Sequence, residues 1–87
     1  MRIIWDEPKR QANLAKHGLD FADLSLTFFE EAIIRPAKLG RLAAFGRFAD
    51  GSIAVVFVTL GSEALSVISM RPANGSERRL YEQAKGF

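Results

Sequence analysis

The spacing of apolar and polar positions divides the chain into eight predicted elements. A short β-prone run, Ile3-Ile4-Trp5, stops at Asp6-Glu7-Pro8. Asp6 is placed to cap a helix by accepting from the free N–H groups of its first turn, and Pro8 is tolerated there because the donor it lacks would have had no partner. The helix is expected to run to about His17, with Gly18 taking the left-handed conformation that ends helices at little steric cost. Asp20 then caps a second short helix over FADLSLTFF, in which Phe21, Leu24 and Phe28 recur at helical spacing.

From residue 31 the period becomes strand-like, first in EAIIRP, which Pro36 ends, and then in RLAAFGRFA. Asp50-Gly51 follows and predicts a two-residue hairpin turn, with positive φ at both positions. The next run, IAVVFVTL, is apolar on both alternating sets and reads as a central strand covered on both faces. After a turn at Gly61-Ser62, ALSVISMR forms a strand that carries Leu65, Val67, Ser69 and Arg71 on one side. Asn74 and Glu77 fit a capping box in front of a last helix, SERRLYEQAK. The order β-α-α-β-β-β-β-α predicts an α+β fold with a mostly antiparallel sheet, the two N-terminal helices packed on it and the C-terminal helix flanking it. At 87 residues the chain is expected to form a single domain, 1–87, since two cores would each be too small.

Composition narrows the chemistry. There is no cysteine and only one histidine, so a disulfide framework, a thiolate nucleophile and a zinc centre lack ligands. No glycine-rich phosphate loop is present, and neither a metal nor another cofactor is expected. The apolar run at residues 53–60 is too short to span a bilayer and the N-terminus lacks a signal-like apolar stretch, which predicts no membrane association and a cytoplasmic location. Charge is sorted along the chain: residues 20–34 hold four acids and no base, whereas residues 35–48 hold four bases and no acid. Either these charges coat solvated faces, or the basic segments converge on an anion.

Two constellations bear on that choice. On the first helix Lys9, Asn13 and His17 recur every four residues, with Lys16 three beyond Asn13, giving a polar, basic stripe. His17 is either a cationic group at the negative end of the helix dipole or a proton carrier, since an imidazole exists in both forms near neutrality. Near the C-terminus Arg71 is followed by Arg78, Arg79 and Tyr81, with Glu77 and Tyr81 one helical turn apart, and Arg47 precedes the hairpin turn. This is either a charged surface helix or a set of guanidinium forks for phosphate. Chemistry open to such residues is cleavage of RNA by its own 2′-hydroxyl, which needs a proton acceptor, a proton donor and cations around the crowded phosphorane.

The segments WDEPKRQANLAKHGLDFADL, GRFADGSIAVVFV and ISMRPANGSERRLYE, in that order, resemble the successive motifs of the BrnT family. The resemblance implies a toxin of a bacterial type II toxin–antitoxin system with a RelE-like ribonuclease fold. Such a toxin cleaves RNA, inhibits translation, and forms a hetero-oligomer with BrnA, a DNA-binding antitoxin that neutralises it and helps repress the shared operon. Lys16, His17 and Arg71 are then the preferred catalytic set, with Glu77 and Tyr81 as further proton-transfer candidates. Lys9, Asn13, Arg47, Arg78 and Arg79 are the candidate RNA-binding residues. The chain departs from the pattern at Gly75-Ser76, where many relatives carry basic residues, and in AKLGRLAAFG and TLGSEALS, which lack charged residues common in relatives. Each loss removes a phosphate contact. A second expectation therefore stands beside the first: a weakened or inactive module that binds a ribbon-helix-helix antitoxin and tunes autorepression. A nonspecific nucleic-acid binder, with steep salt dependence, is a third.

Overall fold

In the computed structural model, which describes residues 1–86, the elements follow the predicted order. They are β1 (Arg2–Trp5), α1 (Glu7–His17), α2 (Leu26–Glu31), β2 (Ile33–Pro36), β3 (Leu42–Phe48), β4 (Gly51–Leu60), β5 (Ala64–Pro72) and α3 (Gly75–Lys85), with single 3-10 turns at Phe21–Asp23 and Lys38–Gly40. The strands form one sheet in the order β1-β5-β4-β3-β2. Only the β1–β5 pairing is parallel, with α1 and α2 lying in the long connection between those strands.

The double apolar pattern of β4 puts it at the centre, with a core on each face. On one side Ile53, Val55 and Phe57 join Leu65, Val67 and Met70, and Phe21, Leu24 and Phe28 descend onto them. Phe21 is fully buried, and each large side chain so covered contributes about 1.5–3 kcal/mol relative to exposure. Gly46 leaves room for this layer, since a Cβ there would stand 2.9 Å from Cε1 of Phe28. The opposite face has a smaller cluster, in which Tyr81 of α3 covers Ala43, Phe45 and Ala54. Val56 and Val58 remain only half-buried on that side.

Local signals act as expected at the end of α1 and the start of α3, but not at the start of α1. Gly18 takes φ 68° and its N–H closes onto the Leu14 carbonyl at 2.8 Å. Asn74 accepts from the Glu77 N–H at 2.9 Å while the Glu77 carboxylate accepts from the Asn74 N–H at 3.0 Å, completing the capping box. Asp6 holds the N-cap position of α1 but makes no side-chain cap bond.

Three expectations are corrected. The second helix is divided: Asp20 caps only the turn Phe21–Asp23, accepting from Ala22 N, and Ser25 opens a new helix by accepting from Phe28 N. A serine followed by a fresh apolar turn restarts the helix, because its hydroxyl satisfies a first-turn donor. The hairpin turn is shifted by one residue: Phe48 pairs with Gly51, so Ala49 and Asp50 form the turn, with positive φ at Ala49 alone of the two. The third correction bears on function. Val56 pairs with Ser69 but its neighbour Phe57 pairs with Val67, so Ile68 is an extra residue, a β-bulge. The bulge inverts the alternation of β5. Leu65 and Val67 face the helical core, whereas Ser69 and Arg71, opposite Val56 and Ala54, turn to the α3 side.

Candidate functional site

The open part of the α3 side of the sheet is a concave surface made of two adjoining depressions of about 400 and 430 Å3. One lies between α1 and β5, bordered by Lys9, Lys16, His17, Ser69 and Arg41. The other lies between the sheet and α3, floored by Ala43, Ala54 and Val56 and rimmed by Lys38, Arg41, Arg71 and Glu77. Arg41 borders both.

Each half is positioned by backbone hydrogen bonding. β1 stops pairing at Trp5–Val67, leaving the later half of β5 with an open edge. Asn13 of α1 fills it: its Oδ1 accepts from Met70 N at 3.0 Å and its Nδ2 donates to Met70 O at 2.8 Å and to Leu19 O at 3.0 Å. The amide acts as a one-residue strand, fixing α1 so that Lys9 and Lys16 border the same depression as Ser69. It is 8% exposed and its amide is engaged at both ends, which gives Asn13 a structural role, while it also lines the depression between α1 and β5.

Arg71 is held by a fork-to-fork pair, Nη1 donating to Glu77 Oε1 at 2.7 Å and Nη2 to Glu77 Oε2 at 2.8 Å. Nη1 also donates to the Pro72 carbonyl at 3.2 Å. Its remaining edge, Nε–H with the outer N–H of Nη2, meets no acceptor among the described residues, and that edge matches two oxygens of a phosphate. Glu77 thus has two tasks, capping α3 and orienting Arg71. The guanidinium, and secondarily the Asn74 N–H, hold the Glu77 carboxyl below the usual carboxylate range against the opposing effect of burial, and Glu77 in turn raises Arg71. A carboxylate so engaged is a positioning group rather than a proton donor.

Lys16 and His17 occupy the last turn of α1 and also border the groove, so the two readings of His17 are compatible. Tyr81 is 5% exposed, its ring packed in the smaller core. Arg47 is exposed one pleat beyond the Phe45–Ala54–Arg71 row, and Arg78 is exposed on α3; neither borders the depressions. Arg79 reaches back over the start of α3, its Nη1 standing 3.4 Å from where a Cβ on Gly75 would be. The residue that motif reading missed is Arg41, with Lys38 beside it. They are carried by a tight loop in which Leu39 and Gly40 both have positive φ and Ala37 N donates to Arg41 O at 2.9 Å. The run of four bases between residues 35 and 48 was the available signal.

Lys9, Lys16, Lys38 and Arg41 have no ion pair among the described residues, whereas Arg10 is neutralised between Glu7 and Asp20. Unpaired cations along one concave surface favour an anion. The Arg10 pairing also shapes acid stability. Hydrogen bonds from Arg10, then Gln11 and Trp5, hold Glu7 at a pKa of about 2, and the Ala22 N–H and Arg10 lower Asp20. Carboxyls with depressed folded-state values bind fewer protons folded than unfolded, so their stabilisation is complete above the ordinary value and is lost as pH falls through the folded one. The melting temperature should therefore decline as pH falls from 4.5, the ordinary glutamate value, toward 2. Thermal unfolding followed across that range by circular dichroism checks this, and a flat profile would contradict it.

No helix among the described residues is long and apolar enough to cross a membrane. The family model described as "Ribonuclease toxin, BrnT, of type II toxin-antitoxin system" matches residues 5–77, a span that includes both depressions. No curated protein matches the chain. The 1.1 Å crystal structure of the Brucella abortus ribonuclease toxin BrnT is 63% identical, covering 85% of this chain and 97% of that one, with a TM-score of 0.81. The chain belongs to the BrnT family of ribonuclease toxins of type II toxin–antitoxin systems.

Proposed function

We propose that the chain, acting as a single domain, is an endoribonuclease toxin that cleaves RNA in the two-part groove without a metal ion. The observation that carries this reading is Arg41, shared by both depressions, which joins the Lys16–His17 end of α1 to the Arg71–Glu77 pair in one cationic track. The reaction suited to it is transfer within the RNA strand. The 2′-oxygen attacks the adjacent phosphorus and the 5′-oxygen leaves, giving a 2′,3′-cyclic phosphate and a 5′-hydroxyl end. A base takes the 2′ proton and an acid returns a proton to the departing oxygen. His17 and Lys16 are the residues for these transfers. Arg71, aimed by Glu77, and Arg41 neutralise the phosphorane, and Lys9 holds the flanking backbone.

The reach of Arg79 over Gly75 favours an active enzyme over a weakened one, because it restores a cation near the position where relatives place theirs. The partner is a BrnA-like DNA-binding antitoxin, and the toxin acts in the cytoplasm on cellular RNA. Expression without an antitoxin should arrest growth, and purified protein should produce cyclic-phosphate ends in the presence of EDTA. Intact RNA at full toxin levels, or loss of cleavage on chelation, would overturn the reading.

A further inference from the structure

The cleft between the sheet and α3 has a composition that phosphate binding alone does not require. Its floor is apolar: β4 spends Ile53, Val55 and Phe57 on the helical core and presents Ala54 and Val56 here, with Phe45 and Ala43 of β3 opposite them. α3 covers only part of that face: Tyr81 packs against Ala43, Phe45 and Ala54, yet all three still line the cleft, beside half-buried Val56. The rim is cationic, Lys38, Arg41 and Arg71, and its one carboxylate, Glu77, is already matched by Arg71. A volume of about 400 Å3 falls within the range of small-molecule sites.

We propose that this cleft is a nucleobase pocket, which takes the base of one nucleotide of the RNA strand onto the Ala43–Ala54–Val56 floor while the attached phosphate rests on Arg41. The proposal deepens the ribonuclease reading and rests on it. A free phosphate has no use for an apolar floor, and an apolar peptide side chain has none for three cations around it. A nucleotide carries both features, a flat ring with an anion a few bonds away. Arg41 also fixes where the pocket lies along the strand. Because it borders the groove that holds Lys16 and His17, the nucleotide whose base enters the cleft adjoins the phosphate being cleaved. Base capture there makes cleavage depend on the identity or the accessibility of that base, favouring single-stranded RNA, whose bases are free to turn outward.

The test uses the whole chain and ligands too small to be cleaved. Nucleoside 5′-monophosphates are titrated against ribose 5-phosphate, which offers the same anion without a base, and against a peptide of alternating glutamate and leucine. At least one nucleotide should bind about tenfold to a hundredfold more tightly than ribose 5-phosphate, the range expected for burying one face of a base on an apolar floor. Its ring should shift the methyl resonances of Ala43, Ala54 and Val56. Val56→Trp, which fills the floor, should reduce nucleotide binding to the ribose 5-phosphate level and leave the latter unchanged, while Arg41→Ala should weaken both alike. Equal binding of nucleotides and ribose 5-phosphate, methyl shifts elsewhere, or tighter binding of the peptide would overturn the proposal. If Val56→Trp fails to fold, the wild-type affinity ratio and the methyl shifts still decide it. Base binding in a chain that leaves RNA intact would sink the ribonuclease reading alone, and cleavage indifferent both to base identity and to whether the bases are paired would sink this one alone.

Discussion

Replacing Arg71 by alanine should relieve growth arrest and slow RNA cleavage by about 10²- to 10³-fold, the loss usual when one preorganised donor to a developing anion is removed. The fold should survive. The side chain is 39% exposed, so its pair with Glu77 contributes about 1 kcal/mol or less once solvent screening is allowed for. The cap that Glu77 and Asn74 make on α3 does not involve Arg71 and remains. Arg71→Lys keeps the charge but not the fork; one ammonium cannot grip both Glu77 oxygens and also present a second edge to phosphate, so most activity should still be lost. Glu77→Gln should act differently, leaving a guanidinium that is charged but no longer aimed. Single-turnover cleavage rates beside thermal melts separate these effects. An Arg71→Ala protein that cleaves at the wild-type rate would remove this residue from the mechanism.

Asn13→Ala should be the most damaging substitution on α1, although in the sequence Asn13 stands in line with the basic residues. It leaves the Met70 N–H, the Met70 carbonyl and the Leu19 carbonyl without their partner in a buried setting. An unsatisfied buried polar group costs about 1–3 kcal/mol. With some relief from entering water, a total of about 2–4 kcal/mol is expected, which for a domain of this size lowers the melting temperature by roughly 10–25 °C. Asn13→Asp should also destabilise, since it keeps the acceptor for Met70 N but places a second acceptor against two carbonyls. Calorimetry measures the loss directly. A melting temperature within about 3 °C of wild type would mean that the amide does not carry the docking of α1.

These two residues show what was legible in the sequence and what was not. Gly18 and the Asn74–Glu77 box act within one or two turns of themselves, so their roles are written in neighbouring residues. The central position of β4 follows from its own double alternation. Asn13 looked like part of a polar stripe because its partner, Met70, lies 57 residues away. The basic stripe itself is real, for Lys9, Lys16 and His17 do share a groove. Arg41 escaped notice because no motif contains it; its importance comes from a hairpin that carries it across the sheet between two clefts. Tyr81 and Glu77 were correctly placed on one side of α3, but which of the two faces the cleft depends on how the helix lies on the sheet. Ala49 took the turn position expected of a glycine-bearing pair because strand register, set by the packing of β3 on β4, outweighed the local preference of Asp50-Gly51.

The bulge at Ile68 decides which face the end of β5 presents. Upstream of it, the phase of β5 answers to the core through Leu65 and Val67. Downstream, it answers both to the core through Met70 and to the groove through Ser69 and Arg71. The two halves of one strand are thereby out of step by design of the backbone, and the spare residue is the clutch between them. Identity at position 68 has considerable latitude, since its side chain is only half-buried. With Ile68 in place, a ladder closed without the bulge would turn Met70 toward the groove and the arginine into the apolar layer, whereas deleting Ile68 would leave both on their present faces in a regular ladder.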